Sequence, residues 1–252
     1  MALSGNTVSI NQSSPATTGK CLKWLSVFTF LILPLTVLGY RLGLYQFSIA
    51  LILLALSLFA SAIIFLMSLF ISLKQRSSNQ ANSQQARLAM YSSLVLLLFL
   101  GSQVVTARSY PMIHNISTDM IDPPLFTEIV ALRGNNSNPH VYNAQEIGEI
   151  QKKAYPNIAT LTVNDSRDDA FNKSLLIAQR LGWDIVSKDQ QTGIIEASQT
   201  TKLWAFTDDV VIRILTNNRQ TDIDLHSVSR VGRTDLGANA KRIENFYAAY
   251  SE

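Results

Sequence analysis

The sequence predicts an α+β protein: three N-terminal transmembrane helices followed by an antiparallel β-sheet domain packed with helices. Three observations predict it. All 18 acidic residues lie at or after Asp119; three uncharged apolar runs precede them; and two pairs of alternating segments follow, each pair joined by a polar turn. The front and back of the chain therefore meet different solvents.

With 47% apolar and 15% charged residues among 252, the composition departs from that of a typical soluble domain. The net charge of +3 divides unevenly: residues 1–107 carry six basic groups and no acid, and residues 108–252 carry 15 basic and 18 acidic groups. The basic balance belongs to the membrane flanks. The back half, at −3, has no run of Lys and Arg, which argues against a nucleic-acid backbone as partner. Cys21 is the only cysteine, so a disulfide framework is excluded.

The apolar runs are 24–40, 45–73 and 88–107, each near or above the roughly 20 residues that cross a bilayer as helix. Cytoplasmic loops retain positive charge. The loop between the second and third runs holds Lys74, Arg76 and Arg87, and the leader, residues 1–23, holds Lys20 and Lys23. Both are expected in the cytoplasm, which puts the chain after residue 107 outside. Small residues suited to cleavage do not follow Leu38, so the first run reads as an uncleaved anchor. Trp24, Tyr40 and Tyr45 sit at run ends, where amphipathic rings favour the headgroup layer. No Asp, Glu, Lys, Arg or His lies inside a run, whereas ion and proton routes usually need one, so the helices read as an anchor.

Residues 108–142, rich in Pro, Gly and Asn, read as an ordered arm or linker, and 143–252 as the domain proper. Asn143 with Glu146 and Ser166 with Asp169 have capping-box spacing. The first helix should stop before Pro156; the second presents Phe171, Leu175 and Ala178 on one face and ends at Gly182. Capping accounts for the Asp165, Asp168, Asp169 cluster better than a calcium loop, whose alternating acids and closing Glu are missing. WDIVS and GIIEAS form one hairpin, DDVVIRIL and TDIDLHSVS a second. A turn centred on Asn218 and Arg219 opposes Ile212 to Leu225, Ile214 to Ile223 and Arg213 to Asp224. A two-residue shift keeps the same faces together. A last helix from about Gly237 carries Ile243, Phe246, Tyr247 and Tyr250 as its apolar stripe.

Asp224, His226 and Ser227 stand close in sequence, but alternation sends Ser227 to the opposite face from the other two, which disfavours a nucleophilic dyad. The main candidate is a polar cluster of Glu196, Asp208, Asp209, Arg213, Asp224 and His226. Of these, Glu196, Asp209, Arg213, Asp224 and His226 project from neighbouring strands away from Ile212 and Leu225. It is either a salt-bridged sheet face or a pocket with a carboxylate of shifted pKa. Arg230 and Arg233, beside Gly232 and Gly237 at a strand-to-helix junction, are a candidate anion site. Asp235 competes as a cap for the same amides, and Asn239 reads as a buried structural amide bonded to the preceding loop. His114, His140 and His226 lack metal-ligand spacing; no metal or cofactor is expected.

The segments ISTDMIDPPLF, YPNI, GWDI, IEASQT, FTDDVVIRI and DLHSVSRVGRTDLGANAKRI resemble, in order, the motifs of a bacterial family known as domain of unknown function 1499 (DUF1499). The resemblance runs from Ile116 to Phe246. It implies an N-terminal membrane anchor, a bacterial inner (cytoplasmic) membrane and a periplasmic C-terminal domain, and it carries no activity or catalytic residue. At His226 the family pattern usually resembles Arg, a departure that bears on any role needing a cation there. The expected function is non-enzymatic binding of an envelope protein partner or small ligand. The alternative is a periplasmic hydrolase using Glu196, Asp208 or Asp209 as acid or base, with Arg213 or Arg230 stabilising negative charge.

Overall fold

A computed structural model of the chain describes residues 17–76 and 79–252, in two compact units, Met1–Val104 and Val105–Glu252. Most of the leader, residues 1–16, lies outside the described residues. Three long helices, α1 (Thr17–Arg41), α2 (Phe47–Lys74) and α3 (Gln80–Ser109), are each long and apolar enough to cross a membrane. They begin or end a few residues beyond the apolar runs because flanking polar residues continue the helical hydrogen bonding.

Packing among these helices is the inverse of a soluble bundle. Ser26, Thr29, Ser57, Ser61 and Ser68 are buried, while Phe28, Leu56, Phe59 and Phe70 are exposed. Lipid tails solvate large apolar groups as well as a protein interior does, so small residues that permit close approach collect at the seam. Ser57 Oγ donates to Thr29 O at 3.0 Å, and Ser92 Oγ to Ser26 Oγ at 2.8 Å. Gly19 N donates to Asn82 Oδ1 at 2.7 Å, and a Cβ at Gly19 would collide with the Asn82 backbone. Serines that look scattered in the sequence thus form one internal face.

The second unit is an α+β domain built on a six-stranded antiparallel sheet. Its strands are β1 (Asn115–Ser117), β2 (Leu161–Val163), β3 (Asp184–Asp189), β4 (Ile194–Thr200), β5 (Thr207–Asn217) and β6 (Gln220–Ser229). The order is β1-β6-β5-β4-β3, with β2 pairing the same edge of β6 nearer its start. Of the two registers left open by the sequence, the chain takes the one pairing Ile212 with Leu225, Ile214 with Ile223 and Arg213 with Asp224. Asn217 pairs with Gln220 across a two-residue turn in which Asn218 takes φ 56°. At the β3–β4 turn, Gly193 has φ 78° and lies against the Ile214 carbonyl, which leaves no room for a Cβ.

Helices α4 (Ala144–Ala154), α5 (Arg167–Arg180) and α6 (Ala238–Ser251) complete the domain. Asn143 and Ser166 cap α4 and α5 by accepting from Glu146 N and Asp169 N. Phe171 and Ile177 of α5 and Ile243 and Phe246 of α6 pack on one sheet face with Ile195, Val210, Ile212, Ile223 and Leu225. Burial of each such side chain contributes about 1.5–3 kcal/mol.

Residues 108–142, expected as an arm or linker outside the domain proper, are instead integral to the domain's packing. Ile113 and Ile116 join the helix-side core. Phe126 and Ile129, the latter in a 3-10 helix at Glu128–Leu132, cover Val211 and Val228 on the opposite face. Beyond β1, which pairs with β6, backbone groups of this segment such as the amides of 127–129 find partners in side chains on the sheet.

Candidate functional site

The expected polar face exists, and it is closed. Glu196, Asp209, Arg213, Asp224 and His226 share the sheet face that residues 118–142 cover, and Glu196 and Asp209 are fully buried. Each carboxylate is engaged. Glu196 Oε1 accepts from Thr127 N at 2.7 Å, Glu128 N at 3.2 Å and the Thr127 hydroxyl, and Oε2 accepts from Ile129 N at 2.7 Å. One carboxylate from β4 thereby caps the free amides that open the 3-10 helix.

Asp209 sits between two guanidinium groups. Arg230 grips it with Nη2 on Oδ1 at 2.7 Å and Nε on Oδ2 at 3.0 Å, while Arg133 donates to Oδ2. Both arginines also hold the backbone of the covering segment, Arg133 through Asn138 O at 2.7 Å and Arg230 through Leu132 O at 3.0 Å. Burial pulls the Arg133 guanidinium below its ordinary pKa, against the opposing effect of Asp209.

Asp224 accepts from the hydroxyls of Thr118 at 3.0 Å and Thr160 at 2.6 Å and from Arg213 Nη2 at 3.1 Å. Arg213 reaches on to Asp119 at 3.1 Å and Asp122 at 2.9 Å. Burial lowers its pKa, but the surrounding carboxylates outweigh burial and the net shift is upward. His226, 1% exposed, places Nδ1 2.7 Å from Pro124 O and Nε2 2.6 Å from Asn115 Oδ1. Phe126 lies 4.8 Å from its ring centre, and burial pushes its pKa down to about 4.

Asp208 does not join this cluster. Strand alternation turns it to the helix side, where Arg242 Nη2 donates to it at 2.6 Å. Arg242 also donates to Gln199 Oε1 at 3.0 Å, Ser227 Oγ at 2.8 Å and Asn239 Oδ1 at 2.5 Å. Asn239 is fully buried and donates to His114 O and Ser229 Oγ, both at 3.0 Å. Its side chain meets β6 serines, Arg242 and the segment before β1, and its backbone N–H meets Asp235 in the loop preceding its helix. Sequence reading missed Arg242, although it lies three residues after Asn239, on the same helical face.

The expected anion site at Arg230 and Arg233 is not assembled. Arg230 is committed to Asp209, and Asp235 accepts from Gly237 N at 2.8 Å and Asn239 N at 3.0 Å, filling the helix start with a carboxylate. Burial raises the Asp235 pKa although both amides oppose it. Ser227 is held by Asn239 at 2.7 Å on the face opposite His226, so the two form no dyad. Among the described residues no three His, Cys, Asp or Glu side chains group as metal ligands.

Open space lies elsewhere. A cleft of about 670 Å³ runs between Met112–Asn115 and Pro139–Ile147. Met112, Val141 and Ile147 make its wall apolar; His114, Asn143 and Glu146 supply hydrogen-bonding groups. Burial lowers the His114 pKa, Asp235 and Glu146 oppose the shift, and Arg133 adds to it. A second cleft, about 530 Å³, lies between Leu125–Glu128 and the β3–β4 hairpin.

These features define a class: three helices able to cross a membrane, followed by a helix-backed antiparallel sheet whose second face is sealed by an irregular segment. A family model described as "Protein of unknown function (DUF1499)" matches residues 115–250, more than half of the chain, and the chain belongs to that family. A comparison with curated proteins finds no match.

Proposed function

We propose that the chain is a membrane-anchored binding protein of the bacterial inner membrane. Its domain lies on the periplasmic side and holds a small ligand, or a segment of an envelope protein, in the Met112–Ile147 cleft. The observation that carries this reading is the engagement of every carboxylate on the sheet face. A general acid or base needs a lone pair or proton available to substrate, and Glu196, Asp209 and Asp224 use theirs on Thr127, Arg133 and Thr118 of the covering segment. The hydrolase alternative loses its motivation, whereas a half-apolar cleft with a few polar groups has the make-up of a ligand site.

The periplasmic placement rests on Lys74, Arg76 and Arg87 between α2 and α3. A reporter fused after Glu252 that matures only outside the cytoplasm is expected to be active; activity of a cytosol-only reporter would reverse the orientation. Binding is tested by extracting the full chain into native nanodiscs and identifying what accompanies it. Val141 is exposed at the cleft wall, so Val141→Trp is expected to displace the copurifying species while leaving the melting temperature unchanged. An undisturbed copurification profile would remove the cleft from consideration.

A further inference from the structure

The two ends of the sheet differ in kind. At the end where the chain arrives from α3, Ser229 N donates to His114 O at 2.9 Å, Arg230 N to Thr207 O at 3.1 Å and Thr201 N to Phe206 O at 2.8 Å. This row puts the β4–β5 turn, the β6–α6 loop and the segment after α3 side by side. Asp235 N donating to Ile113 O and the Thr234 hydroxyl donating to Pro111 O close the group.

The turn at this end reads Thr-Lys-Leu-Trp-Ala-Phe, with Leu203 64% exposed and the rings of Trp204 and Phe206 stacked 5.6 Å apart. Leu236 and Met112 are exposed beside it. The turns at the far end, Gln190–Gly193 and Asn217–Gln220, contain no apolar residue. Other exposed apolar side chains, such as Ile121, Leu176 and Leu215, are dispersed over the domain, whereas Leu203, Leu236 and Met112 share this end with the half-buried Trp204.

The exposed ions of the three near-end loops are Lys202 and Arg233, both basic like Arg108 in the last turn of α3, and the one acid in these loops, Asp235, is turned inward onto backbone amides. Met112 follows the last residue of α3 by three, and three extended residues reach at most about 10 Å. Aromatic and aliphatic side chains mixed with Lys and Arg, at that distance from the end of a span, match the chemistry of the headgroup layer.

We propose that this end of the domain docks on the bilayer surface: Leu203, Trp204, Leu236 and Met112 enter the headgroup layer, and Lys202 and Arg233 meet anionic lipid. The proposal rests on the reading of α1 to α3 as spans and is independent of what occupies the cleft.

The test uses the full chain carrying Cys21→Ser, reconstituted in vesicles of phosphatidylcholine and phosphatidylglycerol with nitroxide-labelled lipid. Single cysteines bearing an environment-sensitive fluorophore are placed by Leu203→Cys, by Asn218→Cys at the far turn and by Phe59→Cys in the middle of α2. The label at 203 is expected to be quenched severalfold more strongly than that at 218 and to emit at shorter wavelength. Omission of phosphatidylglycerol, or the double change Lys202→Glu with Arg233→Glu, is expected to weaken the quenching at 203 severalfold. Equal, water-like signals at 203 and 218 with quenching at 59 would overturn docking alone. Absence of quenching at 59 would overturn the spanning reading and docking with it.

Discussion

Asp209→Asn is expected to destabilise the domain by about 3–5 kcal/mol, the range found when one partner of a buried ion pair is removed. The carboxylate is fully buried and the Arg133 side chain only 4% exposed, so the variant leaves a guanidinium in the interior without its counter-charge. Asn presents one carbonyl oxygen to donors from two arginines, and its own N–H groups face them. Because Arg133 and Arg230 also hold the backbone of residues 132–138, the covering segment should loosen before the sheet unfolds. Chemical denaturation of the full chain in detergent measures the first effect and amide hydrogen exchange at 126–138 the second. Asp222→Asn, at a less buried hydrogen-bonded carboxylate, is the comparison and should stay within about 1 kcal/mol of the parent. Equal stabilities in the two variants would show that the Asp209 clamp holds nothing in place.

Acid is expected to weaken the domain through His226. The oxygens of Pro124 and Asn115 favour an imidazolium, but the cost of burying that charge is larger, and the folded-state pKa falls from 6.5 to about 4. The charged groups near it oppose protonation as well: His140 and Arg133 both lower the value. Below pH 6.5 the unfolded chain therefore binds the proton that the folded chain refuses. Stability is full above that pH, declines between 6.5 and about 4, and levels off below, with a total loss of about 3 kcal/mol from this group. The loss should shrink in His226→Gln when unfolding free energies are compared at pH 7 and pH 4.5. An identical acid limb in the two proteins would assign it to other groups. In the neutral ring, one nitrogen cannot donate. Either Nε2 donates to Asn115 Oδ1 and Nδ1 faces the Pro124 carbonyl without a proton, or Nδ1 donates to Pro124 O and Nε2 faces the Asn115 oxygen without one, unless the Asn115 amide turns and gives up its bond to Val141 O.

Elements governed by local rules were readable in the sequence. Period-two alternation placed Glu196, Asp209, Arg213, Asp224 and His226 on one face, and the pairing of Arg213 with Asp224 belonged to the register adopted. The caps at Asn143 and Ser166 follow from side-chain reach over three residues. What covers the polar face was not readable. Its determinants are long-range, as when Glu196 meets the amides of residues 127–129 nearly seventy positions away. A turn-rich segment gives no periodic signal, and a strand as short as β1 has too few residues to alternate. Alternation alone separates Asp208 from Asp209 and sends it towards α6, where its partner Arg242 lies thirty-four positions away.

The pairing of β1 with β6 has a practical corollary for anyone dissecting the molecule. A fragment starting at residue 143 would bare the β6 edge along His226–Val228 and expose the Asp209 and Glu196 carboxylates stripped of their donors from 127–133. Such a piece would be a poor soluble reagent, inclined to stick to copies of itself through the open ladder. Cloning boundaries set ahead of Tyr110 would keep that seam stitched.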